Sequence, residues 1–143
     1  MGEILVPLAV YLNFRNESKE AIAFYEKVFE TTCTGLMTYG DMPSDGKLPM
    51  DDATKQLVLN ANLEVEGTAI MFSDIPEGMG VSYQPGDNIT LVIDTTDEVK
   101  LTRQFNALAK EGKIIMPLEK TFWSDKYGHV IDKFGIGWQF SLK

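Results

Sequence analysis

Residues 88–112 read NITLVIDTTDEVKLTRQFNALAKEG, and they restart a pattern the chain has already run once. Ile89, Leu91 and Ile93 alternate with polar neighbours over Asn88 to Asp94, the period of a strand with one face on a core. Thr95 or Thr96 can then cap a helix whose first turn holds Asp97 and Glu98, where acidic side chains suit the positive end of the dipole. Val99, Thr102, Phe105, Leu108 and Ala109 are expected on its buried face, and Gly112 stops it. Three more strands follow, over Ile114 to Lys120, Thr121 to Asp132 and Ile136 to Leu142, with Lys133-Phe134-Gly135 as the last turn.

The first half has the same order. Val6 to Phe14 (VPLAVYLNF) is a strand with Val10, Leu12 and Phe14 on its core face. Asn16 or Ser18 caps a helix carrying Ala21, Ile22, Tyr25, Val28 and Phe29 on one side. Thr31 to Tyr39, Gln56 to Val65 and Thr68 to Ser73 are the next strands, the last two joined by a tight Glu66-Gly67 turn. Gly40 to Lys55 (GDMPSDGKLPMDDATK) is rich in Gly, Pro and Asp and forms a long loop, the length of a lid or binding loop. Its Asp51-Asp52 pair reads as solvated charge. Ile75 to Gly86 is turn-rich and joins the halves. Strand, helix and three strands therefore occur twice, as an internal repeat of architecture. The expected class is α+β in one domain over 1–143: module one at about 4–74, linker 75–86, module two 87–143.

Composition narrows the function. With 44% hydrophobic and 24% charged residues, the 143-residue chain has the make-up of a globular domain. Thirteen Lys and Arg against twenty-one Asp and Glu leave a net charge of −8. Such a balance disfavours a phosphate backbone or an anionic membrane surface. No stretch approaches the ~18 apolar residues of a membrane span. The N-terminal segment lacks the basic start and cleavage pattern of a secretory signal, and Val6 stands where a myristoylation motif needs Ser or Thr. A cytoplasmic location is expected. Single Cys33 forms neither an intrachain disulfide nor a cysteine-rich zinc site, and reads as a small buried hydrophobe.

Five strings in order carry a family resemblance across nearly the whole chain: VYLNF (10–14), EAIAFYEKVF (20–29), MTYGDMP (37–43), Ser73-Asp74, and TFWSDKYGHVIDKFGIGW (121–138). Together they resemble the PhnB-like branch of the vicinal-oxygen-chelate (glyoxalase/bleomycin-resistance) superfamily. The resemblance implies two β-α-β-β-β modules whose mixed sheets curl as half-barrels into a U around a cleft, with the helices on the convex side. It also implies a homodimer. In metal-dependent relatives, inward side chains on the first and last strand of each module hold a divalent ion. Here those positions fall at Ala9 (or Val10), Met71 (or Phe72), Asn88 and Gln139. None offers an imidazole or a carboxylate, so neither a metal nor another cofactor is expected.

The neutral amides of Asn88 and Gln139 would face each other across the second module's half of the cleft. With Thr90, they are expected to orient a ligand there. Tyr11, Asn13 and Met71 are the corresponding positions in module one. Trp123 is expected as pocket wall, Phe122 and Trp138 as core, and Tyr127 beside them in an aromatic cluster. The sole histidine, His129, reads as a surface or structural residue. Asp74, Asp94 and Asp132 each end a strand, where aspartates commonly accept turn amides, and no catalytic residue is assigned.

Three functions compete. The first is a metal-free small-molecule-binding protein, and the second an atypical lyase, isomerase or dioxygenase of the superfamily. The third is a structural homodimer without a ligand. PhnB-like proteins often carry a demethylubiquinone methyltransferase label. Yet the strings EGMG (77–80) and FGIG (134–137) do not open a helix as a Gly-rich cofactor turn must, so that activity is not expected. Nor does an Arg or Lys cluster suited to a phosphonate fall at the inferred cleft positions.

Overall fold

The computed structural model describes residues 8–43 and 50–143. The sequence-derived start of the first strand at Val6 and Pro7, and loop positions 44–49, lie outside them. The chain divides into two compact units, residues 1–83 and 84–143. Together they hold two four-stranded mixed sheets and few helices, an α+β fold in two tandem modules.

In the first unit, β1 (Val10–Phe14), α1 (Ser18–Phe29), β2 (Thr34–Thr38), α2 (Asp52–Lys55), β3 (Val58–Val65) and β4 (Thr68–Asp74) follow in order. The sheet runs β1-β4-β3-β2, with β1 parallel to β4 and the other pairs antiparallel. The alternation read in β1 appears in its burial: Val10, Leu12 and Phe14 turn inward, Tyr11 and Asn13 outward. Helix α1 buries the expected Ala21, Ile22, Tyr25, Val28 and Phe29. The Tyr25 ring lies 6.0 Å from that of fully buried Phe72. Burial of a ring of this size contributes about 2–3 kcal/mol.

Neither Asn16 nor Ser18 caps α1 with its side chain. The buried carboxylate of Asp74 reaches over instead, accepting Ser18 N–H at 3.0 Å and Val58 N–H at 2.9 Å. The Tyr39 hydroxyl donates to the Asp74 carbonyl at 2.8 Å, and burial holds that phenol above its ordinary pKa. Between β2 and β3 the described residues of the long loop hold two short helical pieces. Tyr39–Asp41 is a single 3₁₀ turn, and Asp51 accepts Thr54 N–H at 2.7 Å to cap α2, so Asp51 is more than solvated charge. Glu66 and Gly67 both have positive φ (49° and 82°), the backbone of the two-residue hairpin turn the sequence announced. Beyond β4 the chain stays tied to this unit: Arg15 donates to the carbonyl of Ile75 at 3.2 Å and lies over the Tyr83 ring.

The second unit repeats the plan with β5 (Thr90–Thr95), α3 (Glu98–Ala109), β6 (Lys113–Glu119), β7 (Tyr127–Ile131) and β8 (Gly137–Leu142), in the order β5-β8-β7-β6. Strands β5 and β8 are parallel. Trp138 and Phe140 are buried against α3, where Phe105 meets Phe140 edge-on at 5.8 Å.

Several expectations change here. The cap of α3 is Asp97, which accepts Lys100 N–H at 3.0 Å, while Thr95 accepts Asp97 N–H. Its buried face is Leu101, Gln104, Phe105 and Leu108, and Val99 is 81% exposed. The helix ends at Ala109, with Glu111 rather than a glycine in the left-handed region. Gly112 is required for another reason: a Cβ there would stand 2.4 Å from the Ile131 carbonyl oxygen. Phe122, expected in the core, is 97% exposed. The stretch 121–126 is not strand, because Ser124 folds it into a turn. Its hydroxyl lies 2.9 Å from the carbonyls of Lys126 and Leu142 and accepts Leu142 N–H at 3.1 Å.

Candidate functional site

Each sheet has one face under its helix and one face away from it, and the second is where polar side chains collect. In the first unit, Tyr11 on β1 stands in register with Met71 on β4, and Asn13 with Ser73. Met71 therefore shares the face of Tyr11, whereas its alternative Phe72 is in the core. The Tyr11 hydroxyl accepts a hydrogen bond from Asn60 Nδ2 at 2.9 Å. Asn60, on β3, had no sequence signal beyond its place between apolar residues.

The second unit is more connected. Gln139 on β8 donates through Nε2 to Thr90 Oγ1 at 3.0 Å, and its Oε1 accepts the Tyr127 hydroxyl. The edge of Tyr127 meets the Trp123 ring at 5.2 Å, and Trp123 in turn meets Phe122 at 4.7 Å. Thr90, Gln139, Tyr127 and Trp123 thus form one chain of contacts on one face. Cross-strand from Gln139 stands His129, itself opposite Met116. The alternation Tyr127, His129, Ile131 against buried Val130 could have flagged the histidine for this face.

Asn88 is placed differently from the rest. It is exposed in a bend two residues ahead of β5, and Val92, not Asn88, is in register with Gln139. The amide pair expected to face one another does not.

The positions at which the resemblance would place a metal are Ala9 or Val10, Met71 or Phe72, Asn88 and Gln139. Ala9 has no ligating atom, Met71 is a soft thioether, and the Gln139 amide oxygen is engaged by Tyr127. A divalent ion exchanges its hydration shell for anionic or imidazole ligands, so this set does not fit one. Among the described residues, no three His, Cys, Asp or Glu side chains gather as a ligand group.

Two modules of this strand order, with polar side chains on the sheet face away from the helix, define a class, the vicinal-oxygen-chelate fold. A glyoxalase/bleomycin resistance protein/dioxygenase family enzyme from Burkholderia phytofirmans shares it, with a TM-score of 0.62 at 15% identity over 94% of this chain and 95% of that one, a likeness of fold alone. Within that class the chain belongs to the PhnB-like family, whose model, described as 3-demethylubiquinone-9 3-methyltransferase, matches residues 7–141. It is 30% identical to Protein YjdN of Escherichia coli, covering 96% of this chain and 95% of that protein. It also resembles a putative 3-demethylubiquinone-9 3-methyltransferase, PhnB protein, from Bacillus cereus, with a TM-score of 0.76 and 25% identity over 96% of this chain and all of that one.

Proposed function

We propose that the protein binds a small organic molecule, without a metal or other cofactor, on the sheet faces turned away from its helices. The observation that carries this is the Thr90–Gln139–Tyr127 chain on a half-exposed face. Polar groups fixed by one another beside an aromatic wall orient a guest rather than stabilise a core. Tyr11, Asn13 and Met71 offer the equivalent surface of the first unit, and Asn88 and Trp123 border that of the second. The methyltransferase description is read as a family name only. Gly78 and Gly80 lie in a loop and Gly135 in the turn before β8, so none opens a helix for a nucleotide-like cofactor. We further propose that the working form is a homodimer in the cytoplasm.

The test is native mass spectrometry of protein purified without chelator, with elemental analysis alongside. A non-covalent organic adduct is expected in the wild type, reduced about tenfold in Gln139→Ala, which loses both hydrogen bonds to the ligand-orienting chain. Stoichiometric nickel, zinc, manganese or iron that Asn88→Ala or Gln139→Ala abolishes would overturn the proposal in favour of an enzyme.

A further inference from the structure

We infer that the pocket at the Thr90 end of the second unit's sheet takes a small amine with a branched apolar body. This rests on the binding reading above and names the chemistry of the guest. The pocket holds about 200 Å³, the liquid volume of roughly seven waters. Ile89, Ile115 and Ile131 supply its apolar lining, and Asp87, Thr90 and His129 its polar groups. Gly137 keeps it open, because a Cβ there would meet Thr90 Cγ2 at 2.9 Å and His129 Nε2 at 3.7 Å.

The three polar groups are rich in acceptors. An ionised aspartate only accepts, a neutral imidazole has one acceptor nitrogen, and a hydroxyl already accepting one bond keeps a second lone pair. Thr90 Oγ1 is in that state, since Gln139 Nε2 donates to it. An ammonium group brings three N–H donors and the charge that Asp87 lacks a partner for within the pocket. An alcohol brings one donor. A carboxylate would face Asp87 with no Lys or Arg in the lining to offset the repulsion. The net charge of −8 raises the local concentration of cations for the same reason. His129, directly across from Gln139, links this pocket to the Tyr127–Gln139–Thr90 chain.

Because the chain has one histidine, its imidazole resonances report on the pocket without ambiguity. The experiment titrates 3-methylbutylamine, 3-methylbutanol and 3-methylbutanoate, one carbon skeleton with three head groups, into wild type and Asp87→Asn. The amine is expected to shift the His129 resonances saturably in the millimolar range suited to ~6 heavy atoms. Asp87→Asn, at an exposed bend, should weaken the amine about two- to fivefold and leave the alcohol unchanged. If the alcohol or the carboxylate binds as tightly, or Asp87→Asn leaves amine affinity intact, the amine assignment fails while a binding pocket stands. Shifts from none of the three at ~50 mM, far above the affinity expected for guests of this size, would remove the pocket as a site. The Gln139→Ala adduct measurement decides the broader reading separately.

Discussion

At the scale of single residues, the aspartates separate by what surrounds them. Asp132 is buried and accepts Phe134 N–H at 2.8 Å, Ile136 N–H at 3.2 Å and Trp138 Nε1–H at 2.9 Å. Asp94, on the same kind of strand end, is exposed and pairs with Lys143 at 3.4 Å. The sequence read both as strand-end acceptors of turn amides; Asp132 takes turn amides whereas Asp94 holds Lys143, and nothing in the pattern told which was buried, because burial depends on partners distant in the chain. Asp132→Ala should cost about 3 kcal/mol in urea unfolding, since it strands three donors, one of them the indole of a core tryptophan. Asp94→Ala should stay within about 0.5 kcal/mol of wild type, as an exposed pair is worth little. Equal losses would refute the distinction. Cys33 was expected as a buried hydrophobe and is half-buried. Burial first, and then the carboxylate of Glu26, raises its thiol pKa. Alkylation by iodoacetamide at pH 7.5 is therefore expected to be slower than for a free thiol, and Glu26→Gln should speed it modestly; a rate equal to that of free cysteine would show the thiol unperturbed.

At the scale of elements, periodicity located the strands and both long helices among the described residues, and it misjudged which face of α3 is buried. The stripe through Val99 and Thr102 passed over Leu101 and Gln104, which are the residues that α3 buries. Capping was misjudged for a local reason: Thr95 spends its hydroxyl on Asp97 N–H, which leaves Asp97 free to cap. Asp97→Ala should destabilise the second unit by about 1 kcal/mol, and Asp97→Ser should restore most of it. A Thr95→Ala loss larger than that of Asp97→Ala would return the cap to the threonine. The sheet-face residues were legible by parity for Tyr11, Met71, Thr90 and Gln139. Asn88 was not, because strand ends are set by pairing: β5 begins where Thr90 meets Gly137.

For the whole molecule, the repeat was the most legible feature, since one order of elements recurs with one sheet order and one parallel pair. What pattern reading does not supply is the fate of the sheet edges. Among the described residues, β2 and β6 each pair on one side only. Leu36 and Met37 on β2, and Ile114, Ile115 and Met116 on β6, are exposed. Edge strands are normally blunted by charge, proline or cover, and three consecutive exposed apolar residues invite pairing with another chain. Pro117 follows them and removes one donor, so β6 is an edge able to pack side chains more readily than to extend a ladder. A second copy is the economical cover, because a two-fold interface shields the same patch on both chains at once. Sedimentation velocity is expected to give twice the monomer mass across the micromolar range. Ile114→Lys should shift that species toward monomer while far-ultraviolet circular dichroism stays unchanged, because that side chain is half exposed in the single chain and lies outside the pocket lining. A wild-type monomer at every concentration would sink the proposal, and a dimer indifferent to Ile114→Lys would move its interface away from β6.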